Sequence, residues 1–253
     1  MQPSWDRRLP FMSVSKELTI VIPAKNEEKL LPRLLKSLLK QDYPSISNTR
    51  IFLADADSTD RTVQVAEELN RDLAITVISG GLPSVGRNNG ARCAQSRYLL
   101  FIDADVELAD STLLRRAVNL INGKSLHCVT TDILCRDGGW ADDALYLCNN
   151  IAQRLSRFHR PFATGMFMLV DRTRFDEIGG FDEQALYAED YQFTRQISPS
   201  RFRVIRGGIY STNRRFLKMG HGTVLRFFLK TALHSRQPGY YRSKLHQAYW
   251  EAY

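Results

Sequence analysis

Four short apolar runs, each followed by a polar or helix-patterned stretch, constrain this chain more than any other feature. Leu18-Thr19-Ile20-Val21-Ile22 is a β-rich run stopped by Pro23. From Glu27 to Lys40, Leu30, Leu31, Leu34, Leu35, Leu38 and Leu39 then recur at helical spacing. Ile51-Phe52-Leu53-Ala54 predicts a second strand, and Asp57-Ser58-Thr59-Asp60 holds the residue types that start helices, here one over Thr62 to Leu69. Ile75-Thr76-Val77-Ile78 predicts a third strand and Arg87 to Gln95 a short helix. A fourth strand, Tyr98 to Ile102, runs straight into Asp103-Ala104-Asp105. Alternation of this kind predicts an α/β fold with a mostly parallel sheet flanked by helices. Beyond Asp110 the pattern loosens to a helix over Ser111 to Ile121, strands near His127 to Thr131 and Met166 to Val170, and turns at Asp137-Gly138-Gly139 and Gly179-Gly180.

Open parallel sheets bind ligands at the carboxyl ends of their strands. The polar residues at those ends are Lys25-Asn26-Glu27, Asp55 and Asp103-Ala104-Asp105. If the last three are extended, the period of two sends both carboxylates to one side and small Ala104 leaves room for a ligand. Two carboxylates with substrate phosphates and water suit Mg²⁺ or Mn²⁺. Asp60 reads as a helix cap, while Asp55 is open to either a ligand contact or a cap or turn role. Glu189-Asp190 opens a helical stretch after Gly179-Gly180-Phe181-Asp182. A helix N-terminus favours ionised carboxylates, which suits a proton acceptor and equally suits plain first-turn stabilisation.

With 253 residues, 43% of them hydrophobic, the chain can bury one sizeable core. Its net charge of +8 is concentrated at one end: residues 191–253 hold 12 Lys+Arg and the single acid Glu251. Such a segment attracts phosphates, whether of a nucleotide, a lipid surface or nucleic acid. From Thr223 to Ser235, Arg226, Lys230 and His234 share one helical face, while Leu225, Phe228, Leu229, Ala232 and Leu233 share another. This basic amphipathic helix either lies in a membrane surface or packs its apolar side on the domain. The tail residues Tyr240, Tyr241, Tyr249, Trp250 and Tyr253 lean toward an interface. No apolar run approaches the roughly 18 to 20 residues of a membrane span, and Met1 to Lys16 reads as a loose lead-in without the core of a secretory signal. Cys93, Cys128, Cys135 and Cys148 form no CxxC pair and read as buried free thiols of a reducing compartment.

Taken together, these pieces resemble family 2 glycosyltransferases, which adopt the Rossmann-like GT-A fold. The resemblance rests on Thr19-Ile20-Val21-Ile22-Pro23-Ala24-Lys25-Asn26-Glu27-Glu28, on Asp55-x-Asp57-Ser58-Thr59-Asp60-Arg61-Thr62 and on Gly86-Arg87-Asn88-Asn89-Gly90-Ala91. It continues through Tyr98 to Asp105, Gly179-Gly180-Phe181-Asp182-Glu183 and Glu189-Asp190. It implies a GT-A domain over 17–215, with a nucleotide-sugar half (17–110) and an acceptor half (111–215), followed by a basic amphipathic segment over 216–253. By the same resemblance Pro23, Ala24, Glu27, Asp55, Arg87, Asp103 and Ala104 contact a nucleotide-diphosphate sugar. Asp103, Asp105 and His221 hold the divalent metal, and Asp190, with Glu189 beside it, is the general base of an inverting transfer to an acceptor hydroxyl. The acceptor is expected to be lipid-linked or part of the cell envelope, and the enzyme cytoplasmic and peripheral on a membrane through 223–253.

Ala56 stands where many members carry a second carboxylate, which affects base recognition. Processive members carry Gln-x-x-Arg-Trp, and Gln192-Phe193-Thr194-Arg195 is followed by Gln196, so single addition is expected. Ile22-Pro23-Ala24-Lys25-Asn26 is not the Gly-rich loop of a nucleotidyltransferase, and Val118 stands where a P-loop before Gly123-Lys124-Ser125 needs glycine. No nucleic-acid motif accompanies the basic end. The rival from another class is a catalytically inactive nucleotide-sugar-binding or membrane-surface scaffold on the same fold.

Overall fold

Along β1 (Leu18–Ala24), Leu18, Ile20 and Ile22 enter one apolar core while Val21 enters the other, so the strand is buried on both faces. In this computed structural model, which describes residues 16–234 and 237–243, β1 does not stop at Pro23. Its pairing with β4 (Tyr98–Ile102) ends at Val21, so the missing proline N–H falls where only β2 (Arg50–Asp55) remains alongside. The lead-in before Lys16 and Tyr249, Trp250 and Tyr253 of the tail lie outside the described residues.

Helix α1 (Leu31–Leu39) returns the chain from β1 to β2, α2 (Thr62–Leu69) leads to β3 (Ala74–Ser79), and α3 (Pro83–Cys93) leads to β4. In the first half of the chain, two helices differ in extent from the sequence expectation. α1 begins at Leu31 because Asn26 takes a positive φ of 55° and the Glu27 carbonyl accepts the Leu30 and Leu31 N–H groups, making 27–30 a separate turn. α3 begins four residues earlier than expected because Pro83 occupies its first turn, where a missing N–H costs nothing.

The remaining elements are β5 (Glu107–Leu108), α4 (Leu113–Gly123), β6 (Cys128–Cys135), α5 (Trp140–Ser156), β7 (Phe167–Asp171), α6 (Arg172–Ile178) and α7 (Glu189–Thr194). They are followed by β8 (Phe202–Ser211), α8 (Arg214–Met219), α9 (His221–Leu233) and α10 (Pro238–Tyr241). The described residues form one eight-stranded sheet, in the order β3-β2-β1-β4-β7-β6-β8-β5. The first four strands are parallel, as expected. β4 then pairs antiparallel with β7, β6 lies antiparallel to β7 and parallel to β8, and β8 is antiparallel to β5, so only β7 and two-residue β5 run against the other six strands and the sheet is mostly parallel, as expected. The chain steps outward from β1 to β3 and jumps back to β4 on the other side of β1, which places a topological switch point, the usual ligand crevice, between β1 and β4.

Leu100 and Ile102 of β4 join α1 and α4 in the larger core, while Leu99 and Phe101 face the second. That second core holds Phe101, Phe175, Phe181 and Phe193, with Phe181 and Phe193 ring centroids 4.8 Å apart. It fixes α6 and α7 to β4, the strand that leads into Asp103.

Of the cysteines, Cys128 alone is buried and Cys93 and Cys148 are exposed; all four are free thiols. The buried-thiol expectation therefore holds for one of them. Among the described residues no helix is long and apolar enough to cross a membrane.

Candidate active site

The loops after β1 and β2 are stitched together by hydrogen bonds. The Asn26 N–H donates to Ser58 Oγ at 2.9 Å, the Glu27 N–H to Thr62 Oγ1 at 2.7 Å and the Glu28 N–H to Asp60 Oδ2 at 3.1 Å. Asp60 also accepts the N–H of Thr62 at 2.9 Å, the helix-start role expected of it. Both Asp55 oxygens are taken locally by Ser58, from its N–H at 3.1 Å and its hydroxyl at 2.6 Å, a turn role. Gly80 passes so close behind that a Cβ there would lie 2.7 Å from the Asp55 carbonyl oxygen.

Arg87 reaches the crevice because α3 lies almost on β1. A Cβ on Gly90 would come 2.3 Å from a Val21 methyl group, so only glycine permits the approach. The Arg87 guanidinium, 3% exposed, donates to Asp103 Oδ1 at 2.7 Å and, through its other terminal nitrogen, to Glu189 Oε1. The Phe181 ring lies 5.6 Å away. Burial opposes the Arg87 charge, but Asp103, Glu189 and Asp190 outweigh it and hold the guanidinium firmly protonated.

Asp190 follows Glu189 in the first turn of α7, whose entry residue Ala188 takes a left-handed φ of 55°. Its Oδ2 accepts the Gly165 N–H at 2.7 Å and its Oδ1 accepts the Tyr191 N–H at 2.7 Å. Burial pushes its carboxyl up and the Glu189 charge pushes further, against Arg87 and the two N–H groups, leaving it at about 6. On the far side of the crevice Arg214, opening α8, donates to Asp105 Oδ2 at 3.0 Å and to Glu27 Oε1 at 2.8 Å. Burial is the main cause that raises Glu27 to about 7, opposed by Arg214 and aided by Asp105 and Asp103. Asp105 is likewise raised, by burial first and by Asp103 second.

One pocket thus collects Arg87, Asp103, Asp105, Glu189, Asp190 and Arg214. Its apolar wall is built by Ile133, Tyr146, Phe162, Phe216 and Phe228. Pro23, Ala24 and Asp55 stand at the neighbouring strand ends and do not line it, while Glu27 reaches it through Arg214. Asp103-Ala104-Asp105 is a turn rather than extended backbone, and Ala104 is buried in the core instead of opening space for a ligand. His221 is not brought to the aspartates: its Nε2 sits 2.8 Å from Asp142 Oδ1 and its ring stacks on Phe216. Among the described residues no three His, Cys, Asp or Glu side chains converge as a ready-made metal cage. Among the described residues, Asp103 and Asp105 each give one oxygen to an arginine and leave the other without a hydrogen bond, and Glu27 Oε2 is buried with no partner. Such an oxygen donor set fits a hard divalent cation.

Sequence reasoning missed Gly165, and it saw Arg214 only as one of the basic run Arg214, Arg215 and Lys218 before His221, not as the partner of Glu27 and Asp105. Gly165 offered a signal, a glycine just before the apolar strand β7: a Cβ there would lie 2.1 Å from Arg87 Nη2.

A parallel half-sheet with its acidic crevice at the β1/β4 switch point, continued by a mixed half that carries Glu189-Asp190, is the GT-A architecture. Residues 19–179 match the model of glycosyl transferase family 2, and the chain belongs to that family. It is 35% identical over 109 residues to the 4,4'-diaponeurosporenoate glycosyltransferase of Staphylococcus haemolyticus, a match that takes in 41% of this chain and 28% of that relative. Two solved structures share the fold. TarS of S. aureus in complex with UDP-GlcNAc superimposes with a TM-score of 0.62 at 22% identity, over 78% of this chain and 58% of that one. A mannosyltransferase from Pyrobaculum calidifontis in complex with GDP-Man and Mn²⁺ gives 0.62 at 21% identity, over 79% and 59%.

Proposed function

We propose that this chain transfers a single sugar from a UDP- or GDP-sugar to an acceptor hydroxyl with inversion at the anomeric carbon, Asp190 serving as the general base. The observation that carries this reading is Asp190 itself. It lines the same pocket as Asp103 and Asp105, and at about 6 its carboxyl is ionised at neutral pH yet basic enough to accept a proton. One Asp190 oxygen takes the hydroxyl proton as the acceptor oxygen bonds to the anomeric carbon, and the bond to the nucleoside diphosphate breaks on the opposite face. Glu189 holds Arg87 against Asp103 and so sets the charge beside the base.

In this reading 17–110 holds the donor through Pro23, Ala24, Glu27, Asp55, Arg87 and Asp103, and 111–215 holds the acceptor. Asp103 and Asp105 would hold Mn²⁺ or Mg²⁺, which when bound supplies charge neutralisation for the departing diphosphate. His221 joins them as a third ligand only if its contact with Asp142 opens. The donor classes are those bound in the two structural neighbours, UDP-GlcNAc in one and GDP-Man in the other. The acceptor is lipid-linked or of the cell envelope, met at the cytoplasmic face of a membrane, in keeping with the apolar pocket wall.

Titration calorimetry with a panel of nucleotide-sugars and Mn²⁺, run beside a transfer assay, tests the reading. Asp190→Asn should keep donor affinity and lose transfer, and Asp105→Ala should lose the metal-dependent part of donor binding. Full turnover by Asp190→Asn removes Asp190 as the base.

A further inference from the structure

A surface helix ordinarily turns its apolar stripe inward. α5 does the reverse. Its buried face carries Asp142, Asn150 and Gln153 beside Tyr146. Asn150 brackets the irregular stretch of β6, accepting the Ile133 N–H at 2.9 Å and donating to the Ile133 carbonyl at 2.8 Å, while Gln153 donates to the Thr131 carbonyl at 2.8 Å. These polar residues are committed to the sheet. The outward face of the same helix and the turn after it present Trp140, Leu147, Ile151, Leu155 and Phe158, with Trp140 85% and Phe158 74% exposed.

α9 lies against α5 and repeats the arrangement. Val224 and Thr231 turn inward, whereas Leu225, Leu229 and Leu233 stand exposed, Leu233 by 80%. The apolar side read from the sequence is therefore the outer side of α9, not its packing side. Each of these two neighbouring helices thus leaves an apolar side open to solvent, which soluble surfaces rarely do.

We propose that this α5–α9 face docks on the surface of an anionic lipid bilayer. The charge pattern selects that occupant. Between Ala144 and Val170 there is no acidic residue, while Arg154, Arg157 and Arg160 follow one another at the C-terminal end of α5. Arg154 is paired with Asp132, but Arg157 and Arg160 are exposed, and Arg157 lies 4.8 Å over the Phe158 ring. α9 adds exposed Arg226 and Lys230 at the border of its leucines. Apolar side chains flanked by arginine and lysine that snorkel to headgroups are the pattern of a helix lying in an interface. A second copy of the chain is a poorer occupant, because a two-fold contact sets a patch against itself and would bring these cations onto their own counterparts.

The face also borders the pocket. Phe228 of α9 and Tyr146 of α5 line its wall, and Phe228 is itself partly exposed on the outer side. Docking therefore sets the pocket mouth at the headgroup level. The consequence that a membrane-resident acceptor reaches Asp190 rests on the transfer reading; the docking itself does not.

Trp140 supplies the probe. In the full chain with Trp5→Phe and Trp250→Phe, its emission should shift to the blue on vesicles of equal phosphatidylcholine and phosphatidylglycerol and be quenched by brominated acyl chains. Pure phosphatidylcholine should give a much weaker response. Ile151→Glu with Leu155→Glu should lower partition roughly a hundredfold by removing two buried aliphatic side chains, and Arg157→Ser with Arg160→Ser about thirtyfold at low salt. All four side chains point outward, so circular dichroism and the melting temperature should hold. Unchanged Trp140 emission on anionic vesicles overturns the proposal. So does a dimer in sedimentation velocity that Ile151→Glu with Leu155→Glu dissolves while no vesicle binding is seen, since the face would then join two copies. Neither readout depends on sugar transfer, so failure here and failure of the transfer reading are separable.

Discussion

Gly165→Ala adds one methyl group, and the geometry around it sets what that costs. The new Cβ would lie 2.1 Å from Arg87 Nη2 and 2.6 Å from its Cζ, where no side-chain carbon can sit. Arg87 cannot swing aside freely, since Asp103 and Glu189 hold both terminal nitrogens and the guanidinium is 3% exposed. Either the backbone at 165 withdraws, taking its N–H from Asp190 Oδ2, or Arg87 withdraws from Asp103. Each route loses a charge-assisted hydrogen bond of about 1.5–3 kcal/mol, and an unpaired buried carboxylate left behind would bring the loss to about 3–5 kcal/mol. We expect Gly165→Ala to lower unfolding stability by about 3 kcal/mol, read from urea transitions. Gly123→Ala is the matched control: nothing lies within 4 Å of its added Cβ, and it ends a helix at ordinary φ, so its effect should stay within about 1 kcal/mol. Arg87 and the Gly165 N–H both pull the Asp190 pKa down, so either displacement should move its titration upward in carboxyl-carbon NMR. Equal stability of the two alanine variants with an unmoved Asp190 titration would refute the reasoning.

Two further expectations follow from the titrating groups. Burial raises Asp190 from the ordinary carboxyl range to about 6, so the folded chain binds this proton more tightly than the unfolded chain does. The stability it contributes is full below about pH 4 and is lost as pH rises through 6, so the stability difference between wild type and Asp190→Asn should change by on the order of 2–3 kcal/mol from pH 4 to pH 7. Parallel stability curves for the two chains would show that the carboxyl is not raised. Exposed Cys93 and Cys148 should react with a thiol reagent in the native chain, while burial raises the Cys128 thiol and delays its labelling until unfolding.

The fold was legible where the chain obeys a simple period. β4 and α2 lie where the apolar runs and the Asp57-Ser58-Thr59-Asp60 start signal placed them, because buried parallel strands leave continuous Val, Ile, Leu and Phe runs. α5 went unread although Trp140, Leu147, Ile151 and Leu155 recur at helical spacing; that stripe faces out while Asp142, Asn150 and Gln153 face in, so the usual inference from stripe to core would have packed the wrong side. β8 escaped because Arg203, Arg206, Gly207 and Gly208 break the apolar pattern. It lies between β6 and two-residue β5, and a Cβ at Gly207, at φ +116°, would press on Arg116 and Asp110.

Within the site, the acids were easier to find than their partners. Asp103, Asp105 and Asp190 stand at the ends of periodic elements, and a carboxylate after a strand or opening a helix is visible one residue at a time. What holds them is non-local. Arg87 reaches Glu189 across 102 positions of sequence, and Arg214 reaches Glu27 across 187. No window of sequence contains either pair. The same distance explains His221, which the family resemblance set beside the aspartates but whose partner is Asp142, 79 positions earlier at the start of α5. With α5 unread, the carboxylate that holds His221 away from the aspartates in this structure was out of view.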